Sequence, residues 1–297
     1  MNHAFLIMTY NFPEQLGEVV NLLKSENHYF FIHVDKKSDM APFIKVVKGV
    51  EHIIFISENE RIPVYWGGFS QVLAEIILLK KAYTYSVNME YFHLISGQDF
   101  PCKSNQFIDS FFNKHLGESF MKFDTLEETR EWRKKKYPNR YRIYSFSDKG
   151  TCNSFIVNLL KYPIKLVQKF VYLRPEIKDV YAGWNWFSWH RRVLEYVLKY
   201  INLHPNSLER LRYCSCMDEL YFHTILHDKM QELNIVDNAL RYIVWHPKRP
   251  AKTLPLVLNS NDFQDIIHSD AIFCRKVNPT DSKSLINLLI NNQLDIL

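Results

Sequence analysis

From residue 3 onward the chain alternates short apolar runs with amphipathic stretches, and this alternation limits the fold more than any other feature. Residues 3–10 are apolar and stop at Tyr10-Asn11-Phe12-Pro13, where asparagine and proline mark a turn. Residues 14–25 then place Leu16, Val19, Val20, Leu22 and Leu23 on or near one helical face. A second apolar run, 29–34, ends in Asp35-Lys36-Lys37-Ser38. A strand, a helix and a strand within about 30 residues form a βαβ unit, which implies a parallel sheet with ligands at the strands' C-terminal ends. The pattern then repeats. Residues 52–57 predict a third strand, 70–85 a helix, 91–95 a fourth strand ending at Ser96-Gly97-Gln98-Asp99, and 107–112 the start of another helix. The expected class is α/β, with a Rossmann-like, mostly parallel central sheet flanked by helices. Residues 1–125 form its nucleotide-binding half.

The remaining residues, 126–297, read as the acceptor and catalytic half of the same single domain. Arg130 to Tyr137 is a basic run with aromatics interleaved, and 153–172 is an apolar-basic amphipathic stretch. Either is a solvated helix face, or a contact with an anionic or sugar acceptor, or a contact with a membrane surface. Trp184, Trp186 and Trp189 crowd a predicted strand that leads into a helix at 190–200. They read as core, or as a platform for a sugar's C–H face. A strand at 239–245 precedes a basic loop at 246–252, and an apolar run at 271–274 precedes Arg275-Lys276. The last helix is predicted at 282–291.

Charge and cysteine usage narrow the chemistry. Lys+Arg total 37 against 32 Asp+Glu, a net +5, which suits an anionic ligand or surface and does not call for nucleic acid. Five cysteines without a Cys-x-x-Cys pair indicate neither a disulfide framework nor a zinc site, and a reducing compartment is expected. No secretory leader is recognisable, and no stretch reaches the 18 or so apolar residues of a membrane span. There is no Gly-rich dinucleotide fingerprint, no phosphate loop and no nucleophile elbow. The twelve histidines show no metal-ligand spacing. An Asp-x-Asp pair, the usual metal holder of a sugar-nucleotide transferase, is also missing, so cations such as Arg275 and Lys276 would have to neutralise a diphosphate. Asp218-Glu219 opens an apolar run containing Leu220, Phe222, Ile225 and Leu226. Alone, the pair reads as the acids that a helix N-terminus favours, with Ser215 or Asp218 as cap.

Five blocks, taken in order, carry a resemblance to a family. They are His33-Val34-Asp35-Lys36-Lys37-Ser38, Val64-Tyr65-Trp66-Gly67-Gly68-Phe69-Ser70, Leu94-Ile95-Ser96-Gly97-Gln98-Asp99-Phe100-Pro101, Gly183-Trp184-Asn185-Trp186-Phe187, and Asp218-Glu219 with its apolar run. Phe273-Cys274-Arg275-Lys276 closes the series. Together they resemble the core-2/I-branching β-1,6-N-acetylglucosaminyltransferase family, which includes the peptide xylosyltransferases, in a bacterial-type form. The likeness runs from about residue 3 to 277. Cys274 and Val277 depart from the family's usual alanine and aromatic.

The resemblance implies a GT-A-type, inverting transferase that uses a UDP-sugar and no metal or other cofactor. Asp35, Tyr65, Trp66, Ser70 and Asp99 are then expected around the nucleotide sugar. Arg275 and Lys276 are expected on the diphosphate, helped by Lys252 or Arg249. Glu219 is the expected general base, with Asp218 capping the helix that carries it. Trp132, Arg133, Trp186 and Trp245 are the expected acceptor contacts. The partners expected are a UDP-sugar donor and a glycan or lipid-linked glycan acceptor, in a cytoplasmic enzyme, and peripheral contact with the inner membrane face is left open. Two alternatives stay open: a UDP-xylose donor, and a non-catalytic sugar- or lipid-binding protein of the same fold that works through residues 130–172.

Overall fold

The computed structural model describes residues 1–125, 127–128, 140, 142–146, 148, 155–171, 173–174 and 180–294. β1 (His3–Thr9), β2 (His28–Val34), β3 (Ile53–Phe55) and β4 (Tyr91–Ser96) are linked by α1 (Pro13–Leu23), α2 (Ala41–Val46) and α3 (Phe69–Tyr83). They lie side by side as β3-β2-β1-β4, all parallel. β2 is buried along its whole length. A strand covered on both faces needs apolar residues throughout, which is why these segments read as continuous runs. The predicted boundaries shift by one to three residues, and α2 is an element the sequence pattern did not reveal.

Beyond β4 the sheet changes character. The chain continues through β5 (Asp99–Pro101), α4 (Asn105–Lys114), β6 (Ser119–Phe123), α5 (Phe155–Val167), β7 (Gly183–His190) and α6 (Arg191–Leu203). It ends with α7 (Pro205–Glu209), α8 (Tyr221–Leu226), β8 (Ile235–Val236), β9 (Arg241–Ile243), α9 (Phe263–His268), β10 (Phe273–Arg275) and α10 (Lys283–Leu294). β7 joins β4 antiparallel, and β6 and β8 extend the sheet to seven strands in the order β3-β2-β1-β4-β7-β6-β8. This is the α/β arrangement, a mostly parallel central sheet flanked by helices, that the alternation predicted. A second sheet, β5-β10-β9, was not foreseen, because three-residue strands leave almost no periodic signal.

The aromatic crowding of β7 is now explained. Phe187 and Trp189 stack with centroids 3.6 Å apart and both are fully buried. Of the three tryptophans, Trp189 is core and not a sugar platform. At the N-terminal end of the sheet, buried His3, His28 and His93 form a polar chain. His3 Nδ1 lies 3.0 Å from His93 Nε2, and His28 Nε2 lies 3.0 Å from Asp109 Oδ1. Burial first, and then His28, push His3 down to about 3. The ligand atoms of His3, His28 and Asp109 lie within 4.8 Å of one another, a grouping that spacing along the chain concealed. This cluster stands at the opposite end of β1 and β2 from Asp35.

Arg241 joins the two sheets. It belongs to β9 and is buried, yet its guanidinium donates to the carbonyls of Leu94 and Phe187 in the large sheet, each at 3.1 Å, and to that of Ala239 at 2.9 Å. Phe273 of β10 lies beneath it, 4.5 Å from the ring centroid. Burial lowers this guanidinium to about 10, still charged at neutral pH. Arg241→Ala removes these hydrogen bonds and leaves a cavity. We expect it to cost about 3 kcal/mol or more in a guanidinium-chloride titration, and a loss below about 1 kcal/mol would contradict the bridging role.

Candidate active site

In the strand order β3-β2-β1-β4, β1 connects onward through β2 on one side and has β4 on the other. In such sheets the crevice at the C-terminal ends of the strands is where ligands enter. Gly97, just past β4, allows close approach there, since a Cβ on it would stand 2.5 Å from Thr9 Oγ1.

Asp35 follows β2 and is largely buried. Its carboxylate accepts from the Lys37 amide at 2.9 Å and the Lys37 ammonium at 2.7 Å. The same ammonium reaches the Val64 carbonyl and lies 4.2 Å from the centroid of the Tyr65 ring. Arg61 donates to the carbonyls of Asp35 and Ser38. The turn at 35–38 is thereby clamped to the loop that carries Tyr65. Trp66 projects from that loop at 82% exposure. Ser70 is buried instead: its Oγ accepts from the Tyr65 amide at 3.0 Å, and its own amide donates to Asp148 Oδ2 at 2.6 Å. Ser70 thus shapes the loop and does not line it.

Arg275 and Asp99 face each other across the β10–β5 pair. Asp99 is fully buried. Its Oδ2 accepts from Arg275 Nη1 at 2.8 Å and from the Ser96 amide and hydroxyl, both at 2.6 Å. Asp99 is therefore an internal anchor for Arg275, not a group open to a ligand. Trp186 is corrected likewise. It is 9% exposed, with the Arg275 guanidinium 4.0 Å from its ring centroid, so it serves as a floor for that cation and is not an open acceptor platform. Lys276 is half-buried. Burial, and then Arg275, lower its pKa, and a bound anion would relieve both effects. Arg249 is committed to Asp262 in a two-point ion pair. Lys252 is exposed on the same loop. Trp245 follows β9, half-buried, and its indole N–H has no hydrogen-bond partner among the described residues. Trp132 and Arg133 lie outside the described residues.

The acidic pair departs most from expectation. Met217–Glu219 is a single 3-10 turn, and α8 begins only at Tyr221. No side chain caps either one, so Asp218 is not a helix cap. Instead it is buried, and its Oδ2 accepts from Gln71 Nε2 at 2.7 Å. Gln71 Oε1 also accepts from the Gly67 amide at 3.3 Å, and the Gly67 carbonyl accepts from the Cys216 amide at 2.8 Å. Gly67 has φ 63°, and a Cβ on it would press to 3.0 Å from Cys216 Sγ. The glycine is thus required by its backbone and by its neighbour. Behind Asp218, fully buried Glu75 accepts from Asn185 Nδ2 at 2.7 Å. Burial, and then Asp218, push the Glu75 carboxyl well above the ordinary range.

Glu219 is the reachable member of the pair. Its side chain is 31% exposed, and its Oε2 is 2.6 Å from Nη1 of buried Arg140. Asp124, at the end of β6, belongs to the same neighbourhood. Burial, and then Glu128 and Glu219, push it up to about 6. Gln71, Glu75, Asp124 and Arg140 were not legible in the sequence. Each acquires meaning only from the chain segments folded against it.

Burial, and then Glu219, raise Asp218 from 3.8 to about 7. The folded protein thus holds this proton where the unfolded chain has released it. The stability this contributes is complete below pH 3.8 and drains away as pH rises to about 7. Asp218→Asn removes the effect. The variant should gain stability relative to the parent between pH 5 and pH 8, and denaturant midpoints that differ equally at both values would contradict this.

A family model described as Core-2/I-Branching enzyme matches residues 3–267. Xylosyltransferase 2 of Rattus norvegicus is 24% identical over 294 residues, covering 93% of this chain and 32% of that protein. A xylosyltransferase of Ciona intestinalis is 24% identical over 243 residues, 80% and 26% of the two chains. Xylosyltransferase 1 of Homo sapiens is 22% identical over 252 residues, 84% and 24%. The chain spans a third or less of the length of these relatives. A solved structure of a putative glucose-1-phosphate thymidylyltransferase from Bacillus anthracis, in complex with sucrose, covers 79% of this chain and 85% of its own at a TM-score of 0.33 and 11% identity, too weak a likeness to carry an argument. The family model takes in the Asp35 turn, the Gly67 loop, the Asp99 strand and the acidic turn at Glu219, and the chain belongs to the Core-2/I-branching enzyme family of glycosyltransferases.

Proposed function

We propose that this protein transfers a sugar, N-acetylglucosamine in β-1,6 linkage, from a UDP-sugar to a hydroxyl of a glycan acceptor, with inversion and without a metal. The observation that carries the reading is the division of labour in the acidic pair. Asp218 is sealed in and partly protonated at neutral pH, while Glu219 is partly exposed and ion-paired with Arg140.

A sugar hydroxyl is a weak nucleophile at neutral pH. A carboxylate in hydrogen-bond reach takes its proton as the bond to C1 forms. Arg140 fixes one oxygen of Glu219, and a carboxylate has a second oxygen for the hydroxyl. UDP leaves from the opposite face of C1. Arg275, oriented by Asp99, and Lys276, held in a partly desolvated position, receive the charge that develops on the diphosphate. Asp35 and Tyr65 bind the uridine, and Trp66 and Lys252 border the donor. The half-buried ring of Trp245 borders the acceptor. The acceptor is a glycan, carried on lipid at the inner membrane face.

The relatives named xylosyltransferases favour a second reading with UDP-xylose as donor, and UDP release from a panel of UDP-sugars separates the two. With the productive pair, Glu219→Gln should lower kcat by about 10²–10⁴ while leaving UDP affinity intact, and a rate near that of the parent would refute the base assignment. Lys276→Ala should raise the donor KM, whereas an unchanged donor KM would remove it from the diphosphate site. Adding Mg2+ or Mn2+ to chelator-treated enzyme should leave the rate unchanged, and a strong stimulation would contradict the metal-free reading.

A further inference from the structure

Exposed apolar side chains concentrate, among the described residues, on α5 and the turn that follows it. Among the described residues, ten of the eighteen exposed large hydrophobic side chains fall between 155 and 173. Phe155 and Phe170 are each 82% exposed, Tyr162 71%, Ile156 66%, Leu159 65% and Leu166 59%. No residue of α5 is buried. Apolar patches of this kind on a folded domain mark interaction sites.

The orientation of the helix is inverted relative to an ordinary surface helix. At 100° per residue, Phe155, Leu159, Tyr162, Leu166 and Phe170 fall on one side. The half-buried positions, Val157, Lys161, Ile164 and Gln168, fall on the other side, toward the protein body. The helix therefore turns its apolar face outward. The charges complement this face. Residues 155–171 contain Lys161, Lys165 and Lys169 and no acid. An apolar face edged with lysines matches an anionic bilayer, where aliphatic and aromatic groups enter the acyl boundary and ammonium groups meet headgroup phosphates. No helix among the described residues is long and apolar enough to cross a membrane. α5 has 13 residues, about 20 Å of helix at 1.5 Å per residue, which suits lying in the interface.

The helix is also tied to the acidic turn. Gln168 accepts from the Tyr144 amide at 2.7 Å and donates to the Tyr144 carbonyl at 3.1 Å. The neighbouring Ser145 amide donates to the Tyr213 carbonyl at 2.6 Å. The Ser215 amide donates to the Arg140 carbonyl, and the Arg140 guanidinium holds Glu219. We propose that residues 155–171 dock the protein, apolar face down, on an anionic lipid surface, so that an acceptor headgroup carried in that surface is presented beside Glu219. The docking surface is argued from α5 alone, and only the purpose of docking rests on the transferase reading.

The test is flotation with vesicles of phosphatidylcholine containing 30% phosphatidylglycerol, against pure phosphatidylcholine. The protein should float with the anionic vesicles and at least tenfold less with the neutral ones. Leu159→Asp with Leu166→Asp should lower flotation at least tenfold, and Lys165→Glu with Lys169→Glu should remove the preference for anionic lipid. Both variants should keep the parent's thermal midpoint and UDP affinity, because none of the four side chains reaches the donor site. Failure of the parent to float, or flotation that both variants retain, overturns the proposal. So does a dimer in sedimentation velocity that Leu159→Asp dissociates while flotation is unaffected, since a second copy would then cover the face. Vesicle binding without transfer from any UDP-sugar would sink the transferase reading and leave docking intact. Transfer to a soluble acceptor without vesicle binding would do the reverse.

Discussion

The position of the site's cations depends on a guanidinium that never meets solvent. Arg241 lies between the small sheet and the large one, and it donates to the carbonyls of Leu94 in β4 and Phe187 in β7, one residue beyond the last pair, His93 and Ser188, of their antiparallel ladder. Removing an arginine from water is costly unless its donors are met, and here main-chain carbonyls meet both terminal nitrogens, while Nε has no partner among the described residues. The consequence is positional. β10 pairs with β9, the strand that carries Arg241, so Arg275 and Lys276 inherit their place beside the large sheet from that buried charge.

The acidic turn uses desolvation differently. Two adjacent carboxylates with similar intrinsic acidity are separated by their surroundings. Asp218 faces Gln71 and the buried Glu75, while Glu219 faces Arg140 and water. A strongly raised carboxyl such as Asp218 beside a reachable carboxylate is an arrangement that acid–base sites use. The histidine chain at the far end of the sheet shows the complementary case. There burial lowers the pKa of His3 and of His93, and these two rings act as neutral hydrogen-bonding and packing groups.

The parallel half of the fold was legible because β1, β2 and β4 are sandwiched between layers, and burial on both faces writes itself into the sequence as uninterrupted apolar runs. β5, β9 and β10 are three residues each and are fixed by partners far along the chain, so no local pattern announces them. The residues of the candidate site divide in the same way. Asp35, Tyr65, Arg275 and Glu219 stand out as motif positions beside strand ends and turns. Their supports do not. Gln71 is one polar residue in an otherwise helical stretch until the acidic turn folds against it, and Asp99 looks like a ligand-facing acid until β10 covers it. Asp218 misled for a related reason, since an acid ahead of an apolar run has the same local signature whether it caps a helix or is sealed beneath one.

Successive residues of β7 point to opposite faces of the sheet, and here that geometry has a use. Asn185 faces α3 and holds Glu75, in the layer behind the acidic turn, while its neighbour Trp186 faces the small sheet and underlies Arg275. One peptide unit thus belongs to the supports of both the acidic turn that carries Glu219 and the Arg275 guanidinium. A shift of β7 along its own axis moves both at once, so the spacing between the two reaction partners is a property of the backbone. Side-chain changes on either face can alter which sugar fits without changing the distance over which it must be passed.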